Sequence, residues 1–156
     1  MKIKWKLLLI CIAIPLIGGG IAALISGGGM RAFEDLAKPP LSPPGWLFPV
    51  VWTILYTLMG ISLYLVLTSG APQSQITPAL ILFGLQLLFN FVWPVLFFNF
   101  ELYYFAFFWL VALWILIVLN AFAFYAISKP AGYLFIPYLL WVTFAGYLNL
   151  GIAMLN

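Results

Sequence analysis

The side chains able to do chemistry in this chain are few, and their types set narrow limits. The sequence has no histidine, one cysteine (Cys11) and three carboxylates, Glu34, Asp35 and Glu101. Zinc, non-haem iron and iron–sulfur sites need clusters of His, Cys or carboxylate that this inventory does not supply. Ser–His–Asp and Cys–His nucleophile pairs fall with the missing histidine. A single cysteine cannot form a disulfide within one chain. No glycine-rich phosphate loop with its lysine is present, and the carboxylates fall in connecting segments, where no buried acid–base pair can be assembled. The expectation is a site without metal and without a required cofactor.

Amides and indoles remain. Gln86 and Asn90 are four residues apart and share one helix face, which Trp93 and Phe97 continue. Burying an amide in hydrocarbon costs a few kcal/mol unless it is paired. Asn120, Thr143 and Asn149 read as interhelical hydrogen-bonding residues. Two amides and an indole in one stripe are more than packing needs, so Gln86, Asn90 and Trp93 read as cavity lining. Of the seven tryptophans, Trp5 and Trp46 stand at span edges as interface anchors. Trp52, Trp93, Trp109, Trp114 and Trp141 lie deeper. Deep indoles need a partner for the N–H; they either fill the core or form flat walls for a large polycyclic ligand.

The elements that hold these residues follow from composition. The chain is 156 residues long, 67% hydrophobic and 6% charged, with a mean hydropathy of +1.21. Soluble domains average about 45–50% apolar and about 25% charged, so a soluble fold is ruled out. Five uncharged stretches reach the ~20 residues that span a bilayer: 7–26, 46–67, 78–100, 102–127 and 133–155. They are apolar on all sides, unlike the ~10-residue alternating strands of a barrel. The fold class expected is an all-α integral membrane protein, a five-transmembrane-helix bundle forming one domain over 1–156.

Connections at 68–77, around Glu101 and at 128–132 are short, whereas the 27–45 segment is long and carries Arg31, Glu34, Asp35 and Lys38. Loops of that length are usually functional or disordered. Pro15, Pro49, Pro94 and Pro137 fall inside spans, where each is expected to kink its helix and help open a pocket. Gly18–Ala22–Ser26 and Gly19–Ala23–Gly27 form small-residue ladders that allow close helix approach, within the chain or across a dimer. The first apolar run exceeds the ~7–15 residues of a signal h-region, so a retained first helix is expected, with Cys11 as apolar filler. Lys2, Lys4, Lys6 and Lys129 on one side against Arg31 and Lys38 on the other favour a cytoplasmic N-terminus.

Four ordered motifs carry a family resemblance. Arg31, Phe33, Leu36, Lys38 and Pro39 lie in the long loop. Pro43-Pro44-x-Trp46, with Pro49, Trp52, Thr53 and Tyr56, enters span two. Gln86-Leu87-x-x-Asn90-x-x-Trp93-Pro94-x-x-Phe97-Phe98 forms span three. Pro137-Tyr138-Leu139-x-Trp141, with Ala145, Leu148 and Asn149, forms span five. From about Gly29 to Asn156 the chain resembles the TspO/MBR family, the tryptophan-rich sensory proteins of bacteria and the mitochondrial translocator protein (peripheral benzodiazepine receptor).

The resemblance implies a multi-pass protein of a bacterial cell membrane, a homodimer, and a ligand cavity beneath the long loop. It implies tetrapyrrole ligands such as porphyrin or haem, or other hydrophobic ligands such as sterols. By motif, the cavity would involve Trp52, Tyr56, Gln86, Asn90, Trp93, Trp141 and Ala145. The lid loop would comprise Arg31, Lys38, Pro43, Pro44 and Trp46. Departures exist: positions often aromatic in the family's loop read Ala32 and Pro40 or Leu41, and the sterol motif of the animal proteins is replaced by Leu150 and Met154. The reading is a membrane receptor or carrier, with Arg31 or Lys38 pairing ligand carboxylates. Alternatives are a light- or oxidant-dependent porphyrin-degrading enzyme acting through Trp52 and Trp141, and a regulatory membrane subunit.

Overall fold

The computed structural model describes residues 2–27 and 29–156; the side chains at 29, 30 and 32 also lie outside the described residues, and with them the loop departure at Ala32. All regular elements among the described residues are helical. They are α1 (Trp5–Ile25), α2 (Gly29–Glu34), α3 (Leu47–Leu67), α4 (Gln73–Pro94), a π-helical turn (Val95–Asn99), α5 (Tyr103–Ile127), α6 (Lys129–Tyr133) and α7 (Ile136–Leu155). Five helical stretches are long and apolar enough to cross a membrane, as the apolar runs predict: Trp5–Ile25, Leu47–Leu67, Gln73–Asn99, Tyr103–Ile127 and Lys129–Leu155.

The boundaries differ from the sequence reading where polar residues still satisfy helix rules. Gln73–Thr77 reads as loop by polarity, yet α4 starts at Gln73, and the Ile76 N–H donates to the Pro72 carbonyl at 3.1 Å. Ser128–Gly132 is partly a short helix, with Pro130 near its start, where a missing N–H costs nothing. The same rule corrects two predicted kinks. Pro49 and Pro137 sit in the first turns of α3 and α7, so neither interrupts a hydrogen-bond ladder. Pro15 and Pro94 are truly internal.

Pro15 leaves the Cys11 carbonyl without its helical donor. That carbonyl and the Ile12 backbone lie against Gly60 of α3, where the two helices meet backbone to backbone. Further along α1, Gly18 faces the Phe91 ring and Gly19 faces the Tyr56 ring. The small-residue ladders therefore serve contacts within the chain. Pro94 is followed by the π turn, in which the Phe100 N–H reaches back five residues to the Val95 carbonyl at 3.1 Å. Such turns often mark functional segments.

The two ends of the bundle are built differently. The Lys4 N–H donates to the Tyr64 hydroxyl at 2.9 Å, which places the N-terminus beside the end of α3, together with the 68–72 turn and α6. Here Phe83 stacks on Phe124 at 5.7 Å, and Phe124 meets Phe135 edge-on at 5.4 Å. Ser62 donates to the Ala131 carbonyl at 2.6 Å. At the opposite end, the segment 35–46 descends α7 as an extended strap. Ala37 exchanges two hydrogen bonds with the Asn156 side chain, at 3.2 and 2.8 Å, and the Tyr147 hydroxyl donates to the Pro40 carbonyl at 2.6 Å. Pro39 lies on Gly151, where a Cβ would collide with it. Pro39, Pro40, Pro43 and Pro44 contribute no N–H, so a non-helical segment beside a membrane helix has few donors left to satisfy.

Candidate ligand cavity

At the strap end of the bundle the helices form a half-open cavity of about 330 Å³ with an almost wholly apolar lining. Its construction follows from which helices meet there. One wall is α1, which presents Gly19, Ala22, Ala23 and Ser26, all too small to fill the gap. The facing wall is α4 and its π turn, which present Asn90, Trp93, Pro94, Phe97 and Phe98. From α3 come Phe48, Pro49, Trp52 and Tyr56, and from α7 come Ala145, Leu148, Asn149 and Ile152. Phe33 of α2 completes the lining beside the loop.

The aromatic wall is rigid because its rings pack on one another. Trp93 stacks on Phe97 at 5.1 Å, and Phe98 meets both edge-on, at 6.0 Å from Trp93 and 4.8 Å from Phe97. Offset and edge-on pairs of this kind are the favoured aromatic geometries. The Trp93 indole N–H donates to Asn149 Oδ1 at 3.0 Å, and Asn149 Nδ2 donates to the Tyr103 carbonyl at 2.8 Å. One indole and one amide thereby lock α4, α5 and α7 together.

The cavity floor is a chain of hydrogen bonds. The Tyr56 hydroxyl donates to Asn90 Oδ1 at 2.6 Å, and Asn90 Nδ2 donates to the Tyr138 hydroxyl at 2.8 Å. Tyr138 in turn donates to Gln86 Oε1 at 2.7 Å, and Gln86 Nε2 approaches the Met59 sulfur at 3.9 Å. Each hydroxyl both gives and receives, or gives to an amide that is itself paired, so the network costs little in an apolar surround. Both Tyr138 and Gln86 are fully buried and neither lines the cavity, so they lie behind Tyr56 and Asn90.

The structure thus brings together Trp52, Tyr56, Asn90, Trp93 and Ala145 around one space. Gln86 supports them from below through Tyr138. Trp141 does not line this cavity. It faces an open apolar groove of about 410 Å³ between α3 and α7, with Val51, Ile54, Leu140 and Phe144 among its neighbours. Phe48 stands between, edge-on to Trp141 at 5.7 Å and to Phe33 at 4.8 Å. Of the residues expected in the lid, Arg31, Lys38, Pro43, Pro44 and Trp46, none lines the cavity. Lys38 touches a lining residue: its ammonium lies over the Phe33 ring at 5.0 Å and donates to the Glu34 carbonyl at 3.0 Å.

The deep tryptophans divide by what their N–H groups meet. Trp93 bonds Asn149; Trp109 bonds the Phe89 carbonyl at 2.8 Å; Trp114 bonds Thr143 Oγ1 at 2.8 Å, joining α5 to α7. Among the described residues, Trp52 and Trp141 have no such partner. Sequence reasoning missed Phe33, Phe48, Phe97, Phe98 and Asn149 as lining residues. Phe97 and Phe98 were visible in the span-three motif, while Phe33 and Phe48 carry no periodic signal.

The chain matches the family model described as TspO/MBR family over residues 11–155. It is 44% identical to the tryptophan-rich protein TspO of Chlorobaculum tepidum over 124 residues, covering 80% of this chain and 78% of that one. It is 35% identical to the translocator protein of Bos taurus over 139 residues, covering 87% and 82%. It is also 35% identical to the tryptophan-rich sensory protein of Cereibacter sphaeroides over 125 residues, covering 80% and 76%. With five apolar spans set in a lipid bilayer, this multi-pass integral membrane protein belongs to the TspO/MBR family.

Proposed function

We propose that this protein is a membrane receptor or carrier that holds a flat, largely apolar ligand of the tetrapyrrole class in the cavity beneath the strap. The observation that carries the reading is the pairing of an aromatic wall on α4 with a small-residue wall on α1. A disc-shaped ligand gains stacking on one side and room on the other. The polar groups of the floor already satisfy one another, so an apolar ligand strips no hydrogen bonds from them. Trp52, whose N–H is unpaired, offers one donor for orientation. Lys38 near Phe33 supplies positive charge on the loop side, suited to a ligand carboxylate. A sensory or translocating role draws support from the names of the relatives.

The test is a titration of the detergent-solubilised protein with protoporphyrin IX, read by quenching of tryptophan fluorescence. Saturable micromolar quenching is expected. Trp52→Phe keeps a stacking ring but removes the indole N–H and part of the ring area, and is expected to weaken binding by about tenfold, the scale of one hydrogen bond. Trp114→Phe, altered on the lipid-facing side of α5 at 38% exposure, is expected to leave it unchanged. Linear, unsaturable quenching would remove the ligand role. Family membership also motivates a homodimer through lipid-facing helix surfaces. Light scattering across a dilution series in mild detergent checks it, and a mass fixed at one chain would reject it.

A further inference from the structure

We propose that the Phe48 ring is a movable partition between the cavity and the α3–α7 groove, and that it sets the size of ligand the site accepts. The inference deepens the ligand-binding reading and rests on it. At about 330 Å³ the cavity is near the bottom of the ~300–1,000 Å³ range of small-molecule pockets. That suits two or three fused rings and is tight for a tetrapyrrole. The neighbouring groove adds about 410 Å³. The two are separated where Phe48, which lines the cavity, meets Trp141, which lines the groove.

Phe48 is placed to move. It is the second residue of α3, preceded only by the single turn in which its N–H meets the Gly45 carbonyl at 3.3 Å. It is half-buried, and its recorded ring contacts are edge-on, to Phe33 on one side and Trp141 on the other. Empty volume borders it on the cavity side, while on the other side the Trp141 ring separates it from the groove, so on its cavity face it lacks the dispersion contacts of a core ring. The unpaired indole N–H groups flank this partition. Trp52 lies one turn along α3 from Phe48 and faces the cavity, while Trp141 faces the groove. With the ring swung aside, one large disc would reach both indoles; with the ring in place, a small ligand meets Trp52 alone. This accounts for Trp141 belonging to the same motif set as the cavity residues although Phe48 screens it from them.

The experiment uses the full chain in lipid nanodiscs and three ligands of rising size: 1-naphthylamine, 1-aminopyrene and protoporphyrin IX. Affinities are compared for the wild type, Phe48→Ala, Phe48→Leu and Phe48→Trp, each matched for thermal stability. Phe48→Leu covers the case in which the alanine variant does not fold. Trimming residue 48 is expected to tighten protoporphyrin by about tenfold and to weaken naphthylamine, while Phe48→Trp does the reverse. Quenching of Trp141, isolated by difference against Trp141→Phe, is expected with protoporphyrin and absent with naphthylamine. A size preference that does not move with residue 48 overturns the partition. If protoporphyrin binds no variant but preference between the two smaller ligands shifts with residue 48, the tetrapyrrole reading falls and the partition stands. A chain that binds none of the three overturns both.

Discussion

Aromatic rings gather at the α6 end of the bundle as well as around the cavity, and among the described residues the two sets are arranged differently. At the α6 end the rings come from different helices and meet each other: Phe83 of α4 on Phe124 of α5, and Phe124 on Phe135 beside α7. Around the cavity, Trp93, Phe97 and Phe98 pack on one another along one segment and share the space with the small residues of α1. Aromatic content does not make a pocket; an aromatic face opposed to a small-residue face does. A small residue does the opposite job elsewhere in the bundle, where Gly60 of α3 lets α1 and α3 touch backbone to backbone.

The sharpest break of this contrast is at Gly60. A Cβ there would meet the Ile12 Cα and the Cys11 carbonyl, which are backbone atoms with no freedom to turn aside. Gly60→Ala is expected to cost about 3 kcal/mol, the upper range for overpacking, and Gly60→Leu to abolish monodisperse protein in detergent. Thermal scans and size-exclusion profiles read both. A second, smaller effect separates two buried amides. Asn90→Leu leaves the Tyr56 hydroxyl without its acceptor and takes away the amide that donates to the Tyr138 hydroxyl, which keeps Gln86. At ~0.6–1.7 kcal/mol for each intramembrane bond, about 2 kcal/mol of stability should be lost. Asn120 is equally buried, but its Oδ1 has no partner and its Nδ2 reaches the Ala79 carbonyl only at 3.5 Å. Asn120→Leu is therefore expected to be neutral or to stabilise by up to ~1 kcal/mol. Equal losses at both positions would mean that network membership has no energetic meaning here.

The five spans were legible because hydrophobic length is read directly against bilayer thickness, and no tertiary contact can override it. The Gln86–Asn90–Trp93 stripe was legible because amides stand out in an apolar run, and all three side chains do turn inward. What spacing could not supply is the order of layers. Helical period places Trp141 on the inward side of α7 but does not reveal that Phe48, from another helix, sits in front of it. Nor can a stripe reveal depth, so Gln86 was read as wall although Tyr138 covers it. The path of the strap was the least legible part. Extended segments have no period, and the anchors that fix this one, Asn156, Tyr147 and Gly151, lie more than a hundred residues away in sequence. Pro43 and Pro44 thus read as a lid, whereas Phe33 and Phe48 are the loop-side residues that line the cavity.

The smallest expected effect on stability comes from filling the hollow half, and its sign is the informative part. Ala145 is 8% exposed and its methyl group borders the cavity. Ala145→Leu would add three carbons to a space of about 330 Å³, where they can pack against the aromatic wall without displacing backbone. Burying each methylene is worth ~0.8 kcal/mol in a soluble core. Hydrocarbon tails are as apolar as leucine, so within a bilayer only the dispersion part of that gain survives. The side chain also loses rotamer freedom, at ~0.5–1 kcal/mol. The balance lies within about 0.5 kcal/mol of zero, against a loss of about 3 kcal/mol for the one-carbon change at Gly60. Ligand binding should respond in the opposite order. Ala145→Leu occupies volume the ligand needs, so protoporphyrin affinity should fall by about tenfold or more while the melting curve stays in place. A large drop in thermal stability on Ala145→Leu would show that this space closes in the folded protein, and that the two halves of the bundle are packed alike.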